Sequence, residues 1–186
     1  MIRLYPLLPL LFIFFSCKKE FAEKIPFKKI DTGLEGNLYM LCPVNQTTFI
    51  TGGTHHADGA VSITKDAGNN WEVLPGRTEG AITALLVMES LNWYAGTSAP
   101  HAYKTTDGGI TWKKLWVNTP YPPNYRKPVR RIVKTNDVTL YFVLGGDFEA
   151  GGIWKTYDGG ITWKAHTFNI ELRDLAFENS LTGYAC

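Results

Sequence analysis

The sequence lacks an excess of charge of either sign. Of its 186 residues, 19 are lysine or arginine and 17 are aspartate or glutamate, so the formal net charge is +2. No run of like charge makes up for this locally. Because a nucleic-acid partner needs a basic field or stripe, we exclude nucleic-acid binding. The chain can build a core, since 45% of its residues are hydrophobic and 13% are aromatic.

Cysteine is also scarce, with only three residues. Cys42 ends the apolar run 38–42 and is most simply a small core residue. Cys186 is the last residue, and a pairing cannot be deduced from sequence, so we assign no disulfide. The histidines show no tight ligand spacing such as His-x-x-x-His. Nothing in the sequence requires a metal or a cofactor.

Long apolar runs are absent apart from residues 7–15, which follow Arg3 and are too short to span a bilayer as a permanent helix. The run stops at Ser16-Cys17. A small residue followed by cysteine resembles the bacterial lipoprotein cleavage box, in which the cysteine is diacylated. We therefore expect a signal peptide over 1–17, lipid on Cys17, a tether over 18–26 and export to the bacterial cell envelope. The bulky Phe14 and Phe15 leave an ordinary signal peptide or an uncleaved anchor as the alternative.

One pattern recurs three times, at 64–71, 105–112 and 156–163, and reads Thr-x-Asp-x-Gly-x-Thr-Trp with Asn70 replacing the second threonine in the first copy. Each aspartate can accept N–H groups from the turn it opens, and the glycine can adopt a positive φ. The tryptophan then serves as an apolar plug on its own blade. The structural positions are Asp66, Gly68, Trp71, Asp107, Gly109, Thr111, Trp112, Asp158, Gly160, Thr162 and Trp163.

The aspartates lie 41 and 51 residues apart, which is the period of a four-stranded propeller blade. The pattern resembles the Asp-box, or bacterial neuraminidase repeat. Together with the segments 172–177 and 183–185, it also resembles the photosystem II stability and assembly factor-like propellers, whose relatives include bacterial lipoproteins. That resemblance implies a seven-bladed, non-catalytic propeller that binds or assembles other proteins. The aspartates sit one per blade, far apart, so we assign no catalytic residue.

The fold class is therefore all-β, an incomplete propeller of about three and a half blades over 27–186. The predicted strands are 82–87, 93–96, 102–105 and 112–116 in the second blade, 129–134, 140–144, 153–156 and 163–167 in the third, and 172–177 and 181–186 in the fourth. Residues 27–30 read like 112–115, so we expect them to supply the outer strand of the last blade. So few blades cannot close a ring, and we expect a longer protein.

Arginines are the best candidates for contact with a protein or anionic partner. Aligned inner strands place Arg130 and Arg173 at the same position of adjacent blades, with Arg131 beside them, at the mouth of the central channel. Clustered guanidinium groups bind carboxylate or phosphate, and the assembly-factor resemblance implies an arginine-rich patch on one face. The alternative is a set of surface charges paired with Asp137, Glu171 or Asp174.

Two further hypotheses concern the loops that join second and third strands. These loops share the arginine face, and their polar residues form a weaker candidate for a metal or sugar site, with solvated loops as the alternative: His55, His56, Asp58, His101, Asp147 and Glu149. Sialidases also combine Asp-boxes with an arginine cluster, so a sialidase-like glycoside hydrolase is the alternative function. Its Phe/Tyr-Arg-Ile-Pro element is missing, because residues 24–26 read Lys-Ile-Pro, and its catalytic residues would lie beyond Cys186.

Overall fold

The computed structural model describes residues 29–117, 127–145 and 151–186. The predicted signal peptide, Cys17, the tether, Asp147 and Glu149 lie outside these ranges, as does most of the proline-rich stretch 119–128. No helix long and apolar enough to cross a membrane occurs in the described part of the chain.

The strands form successive antiparallel sheets, each one blade of the repeat. Blade 1 contains β1 (Leu38–Pro43), β2 (Phe49–His55), β3 (Asp58–Thr64) and β4 (Glu72–Val73). Blade 2 contains β5 (Ile82–Val87), β6 (Trp93–Thr97), β7 (Ala102–Thr105) and β8 (Lys113–Leu115). Blade 3 contains β9 (Val129–Lys134), β10 (Leu140–Leu144), β11 (Gly152–Thr156) and β12 (Lys164–Thr167). Blade 4 has β13 (Leu175–Phe177) and β14 (Gly183–Ala185). The all-β prediction is confirmed, and β5, β7, β9 and β10 match their predicted bounds.

The core lies between blades, because alternate residues of each strand face opposite neighbours. Within β6, Trp93 and Ala95 pack in a cluster with Ile50 and Val61 of blade 1. The intervening Tyr94 packs instead with β9 and β10 of blade 3. A third cluster joins blades 3 and 4. The strand period of two thus gives blades 2 and 3 two buried faces each, which explains their nearly continuous apolar strands.

Each inner strand carries one extra residue near its start. The register skips Tyr39 in β1, Thr83 in β5 and Arg130 in β9. Before β13, the N–H groups of Arg173 and Asp174 both donate to the carbonyl oxygen of Cys186, at 2.6 and 3.2 Å. Two residues facing one partner define a β-bulge. In blade 4 the named strand begins after the bulge, at Leu175 rather than at the predicted 172.

The segment 30–37 has the geometry of a linker between blades. It matches the blade 1 to blade 2 linker, 74–81, in length and in its Glu-Gly pair. The N–H of Thr54 donates to the carbonyl of Asn37 at 3.0 Å, as that of Ser98 donates to Ala81 at 2.9 Å. Ile30 packs near Gly68 as Leu74 packs near Gly109. Ile30 therefore takes the place in this linker that Leu74 takes in the next one, whereas the predicted ring-closing role of residues 27–30 stays a prediction, because residues 27 and 28 lie outside the described ranges.

The faces at the two ends of the described sheets are open. Leu38 is 48% exposed, whereas Ile82 and Val129 at the same register are 0% exposed. In blade 4, Tyr184 is 67% exposed, although its counterpart Tyr94 is 1% exposed. Apolar positions that are buried at every internal boundary are thus uncovered at both ends, as expected of a partial propeller.

Candidate functional site

The blades present two different faces. On one, the turn between second and third strands contacts the linker between blades: the N–H of Ala81 donates to Ser98 Oγ at 3.0 Å, and that of Gly151 to the carbonyl of Ile170 at 2.6 Å. On the other, the Asp turn contacts the turn between first and second strands, as where the N–H of Gly108 donates to the carbonyl of Leu91 at 2.9 Å. We call the first the loop face, because it carries the turns between second and third strands, and the second the hairpin face, because it carries the Asp turns.

Arg130 and Arg173 occupy the same bulge position in successive inner strands. The predicted alignment of the two arginines therefore agrees with the backbone. Gly145 shows how close these segments are, because a Cβ built on it would lie 1.7 Å from the carbonyl oxygen of Leu172 and 3.6 Å from Arg130 Cγ. Arg130 Nε also donates to the carbonyl of Gly145 at 3.1 Å. The two strand starts thus meet on the loop face, with exposed arginines on both.

Two of the arginines make ion pairs within the chain. Arg131 Nε lies 3.3 Å from Asp174 Oδ1, a pair that joins equivalent positions of blades 3 and 4. Arg173 Nε lies 2.8 Å from Glu171 Oε1. These are two of the three carboxylates expected in the surface-charge alternative, while Asp137 pairs with Lys134. The Arg131 and Asp174 side chains stay 59% and 58% exposed, so this pair is weakly held and accessible, whereas the Glu171 side chain is only 21% exposed.

The histidines of the loop face are held in separate places. His56 Nδ1 lies 2.9 Å from Glu35 Oε2, and the N–H of Glu35 donates to His55 Nδ1 at 3.2 Å. His101 Nε2 lies 3.2 Å from Glu79 Oε2 in the next linker. Burial and the nearby Lys114 lower the pKa of His101. No group of three His, Cys, Asp or Glu side chains suited to a metal occurs in the described ranges.

The predicted Asp turns form one hydrogen-bonding pattern. In the second copy, Asp107 Oδ1 accepts from the Thr111 N–H at 2.9 Å and the Thr105 hydroxyl at 2.7 Å, while Oδ2 accepts from the Thr111 hydroxyl at 2.6 Å. These bonds, led by the Thr111 hydroxyl, lower the pKa of Asp107 to about 2. The motif glycine two residues after each aspartate has a positive φ of 89 to 95°.

The other copies behave alike, because Asp66 bonded to Asn70, and Asp158 bonded to Thr162, also have a pKa of about 2. Each carboxylate is occupied by its own turn, so the chemistry of these residues is structural. Trp112 and Trp163 pack into the clusters shared with the preceding blade as well as their own. The plug therefore joins blades, which is more than the sequence predicted.

Sequence reasoning missed two recurrent features of the loop face. Tyr39 and Thr83 occupy the bulge position that Arg130 and Arg173 fill, but three dissimilar residue types in four blades give no pattern. Glu35 and Glu79, which accept from histidines, carry a usable signal, since each precedes a glycine at the same distance from the next inner strand.

Comparisons with known proteins agree with this architecture. No family model matches the chain, and no curated protein sequence matches it. Among solved structures, the GH74 enzyme of Niastella koreensis is similar with a TM-score of 0.57 and 20% identity, over 75% of this chain and 24% of that one. YCF48 bound to D1 peptide has a TM-score of 0.57 and 18% identity, over 80% and 46%. YCF48 from Cyanidioschyzon merolae has 0.58 and 13%, over 82% and 48%.

These similarities establish the fold alone. The neighbours are β-propellers, and the four-stranded antiparallel sheets of this chain are therefore a partial β-propeller. The chain spans from about a quarter to about half of the neighbours' lengths.

Proposed function

We propose that the chain is part of an exported, non-catalytic β-propeller that binds a protein or an anionic partner at its loop face. The observation that carries this proposal is the repeated bulge, which places Arg130 and Arg173 at equivalent positions of adjacent blades. A rigid sheet supports each arginine, and binding residues on rigid scaffolds lose little entropy when they engage.

The chemistry of the cluster favours carboxylate groups as ligands. Guanidinium groups bind carboxylates in a bidentate manner. Because Arg131 already contacts an exposed carboxylate of its own chain, a partner carboxylate can replace Asp174 at small cost. The similar fold of YCF48, whose structure is described as bound to D1 peptide, supports a peptide segment as the kind of partner.

Binding of a fluorescein-labelled acidic peptide with a free C-terminal carboxylate, followed by anisotropy, tests the proposal. We expect Arg130→Ala and Arg173→Ala each to weaken binding by about 5-fold or more, as for the loss of a charge-assisted hydrogen bond. Lys134→Ala is the matched control, because Lys134 ends the same strand, β9, near the hairpin face. Equal losses for all three variants would show that only net charge matters and would refute the arginine site.

Export and anchoring are a separate part of the proposal and rest on the sequence of residues 1–17. Cys17→Ser should move the protein from the membrane fraction to the soluble fraction after cell breakage. Membrane association that is unchanged by Cys17→Ser would instead indicate that the apolar run is an uncleaved anchor.

A sialidase-like glycoside hydrolase is the second candidate, because an arginine cluster also suits a sugar carboxylate and an enzyme, GH74 of Niastella koreensis, shares the fold. Fold alone is a poor guide to activity. We expect no hydrolysis of a fluorogenic sialoside by this chain. Turnover that disappears in Arg130→Ala would favour the hydrolase over the binding module.

A further inference from the structure

A cavity lies between blades 1 and 2 on the hairpin face, opposite the arginines. Its volume is about 580 Å³. Most of its wall is apolar and comes from Ile50, Ile63, Leu74, Leu91, Trp93 and Ile110. Lys65 and Glu72, which are both exposed, also line it. This is a size and a lining typical of small-ligand or side-chain pockets.

The equivalent place between blades 2 and 3 is filled by a tyrosine. Tyr94 is 1% exposed and packs in the cluster of that boundary. Its hydroxyl crosses to the next blade and donates to the carbonyl oxygen of Gly159 at 3.0 Å. Met88 packs against the same cluster. A phenol ring with its hydroxyl on a hairpin carbonyl is therefore the group that this boundary accommodates.

Smaller residues stand at these positions in blade 1. The register pairs Ile50 with Ile63 where Tyr94 pairs with Lys104, so Ile50 replaces the tyrosine. Val44 replaces Met88, since the N–H groups of both close the turn between first and second strands. Trp93 lines the cavity from blade 2 and is larger than Leu140, its counterpart in blade 3, but it does not fill the cavity.

The hydrogen-bond acceptor of the site is also retained. Gly108 is the counterpart of Gly159 in the Asp turn of blade 2, has the same φ of 68°, and lines the cavity. Among the described residues, none donates a hydrogen bond to the carbonyl oxygen of Gly108. The blade 1 boundary thus keeps the acceptor of the tyrosine site and lacks the tyrosine.

We propose that this cavity binds a phenol ring, supplied by a tyrosine side chain of a partner peptide, with the hydroxyl donating to the carbonyl oxygen of Gly108. The ring packs against Trp93 and Ile110, where aromatic contact adds to the burial of apolar surface. Lys65 and Glu72 at the rim offer one donor and one acceptor group to the peptide backbone beside the ring. The site is independent of the arginine cluster and of the function proposed for it.

Calorimetric titration of the full chain with N-acetyl-tyrosinamide, N-acetyl-phenylalaninamide and p-cresol tests the site. The tyrosine amide should bind about 2- to 10-fold more tightly than the phenylalanine amide, which is the worth of one neutral hydrogen bond. Equal affinities, or no binding of the tyrosine amide, overturn the proposal. Binding of p-cresol without the tyrosine amide also overturns it, because the ligand would then be a free phenol.

Two substitutions at one position locate the binding. Ile50→Tyr supplies the missing ring from within, so it should abolish binding of the tyrosine amide and raise the melting temperature. Ile50→Leu keeps the volume of the side chain and should bind as the unaltered chain does. Retained binding in a folded Ile50→Tyr variant, judged by circular dichroism, would place the ligand elsewhere and overturn the proposal. If Ile50→Tyr does not fold, titration of Ile50→Phe with the tyrosine amide decides. Undiminished binding to Ile50→Phe overturns the proposal, and loss of binding supports it.

Discussion

Two equivalent tryptophans should respond differently to the same substitution. Trp112 and Trp163 both follow an Asp turn and pack between blades. Trp163 Nε1 donates to the carbonyl of Gly160 at 3.1 Å. Trp112 Nε1 is buried but donates to no acceptor among the described residues. We therefore expect Trp163→Phe to destabilise the chain clearly and Trp112→Phe to do so little or not at all.

The magnitudes follow from what phenylalanine removes. At either position it deletes two ring carbons and the N–H group, and the partly buried carbons are worth roughly 1 kcal/mol. Trp163→Phe also loses a hydrogen bond worth about 0.5–1.5 kcal/mol, for a total near 2 kcal/mol. At position 112 the change removes an unsatisfied buried donor, whose burial costs about 1–3 kcal/mol, and this relief offsets the lost packing.

Urea unfolding followed by far-ultraviolet circular dichroism measures both free energies of unfolding without depending on tryptophan fluorescence. The Ala variants serve as the reference, since Trp112→Ala and Trp163→Ala each remove a whole ring and should cost about 3 kcal/mol or more. Equal costs for the two Phe variants would refute the reasoning. They would mean that the indole N–H groups have the same environment at both boundaries.

Two further predictions concern pH and packing. The pKa of Asp66, Asp107 and Asp158 falls from 3.8 to about 2 on folding, so their contribution is complete above pH 4 and is lost as pH falls through 2. The melting temperature should drop between pH 4 and pH 2. Asp107→Asn should lessen that drop, whereas Asp137→Asn, a control outside the Asp turns, should not. A melting temperature independent of pH would contradict this prediction. Gly145→Ala should cost about 1–3 kcal/mol in urea unfolding, because its Cβ would overlap the Leu172 carbonyl, and a neutral effect would mean that blades 3 and 4 do not meet at this point.

Much of the fold was predictable because one motif sets the register of a whole blade. The Thr-x-Asp-x-Gly-x-Thr-Trp pattern places the third and fourth strands, and the apolar runs then place the first and second. For this reason β9 begins at Val129 and β10 ends at Leu144, as predicted. The Glu-Gly pair in residues 30–37 indicates a linker between blades, because the linker 74–81 has the same pair at the same place. The other residues of the two linkers differ, so this match was not recognised from the sequence.

The candidate sites were predictable only in part. The alignment of Arg130 with Arg173 required counting from the second strand, and the backbone supports it. The bulge itself has no sequence signature, since it arises from a shift in pairing rather than from a residue type. The cavity beside Ile50 was also hidden, because an isoleucine in a strand is unremarkable until its register shows that a tyrosine fills the same place one blade later.

The bulge has an evolutionary consequence. A residue that the ladder register skips can be exchanged with little effect on strand pairing, although Thr83 and Arg130 also make side-chain hydrogen bonds to backbone carbonyls. Tyr39, Thr83, Arg130 and Arg173 are an aromatic, a hydroxyl and two cationic groups on one recurring backbone shape. Under the proposed function, point mutations at these positions change the groups that the loop face offers to a partner one blade at a time, while the architecture stays the same.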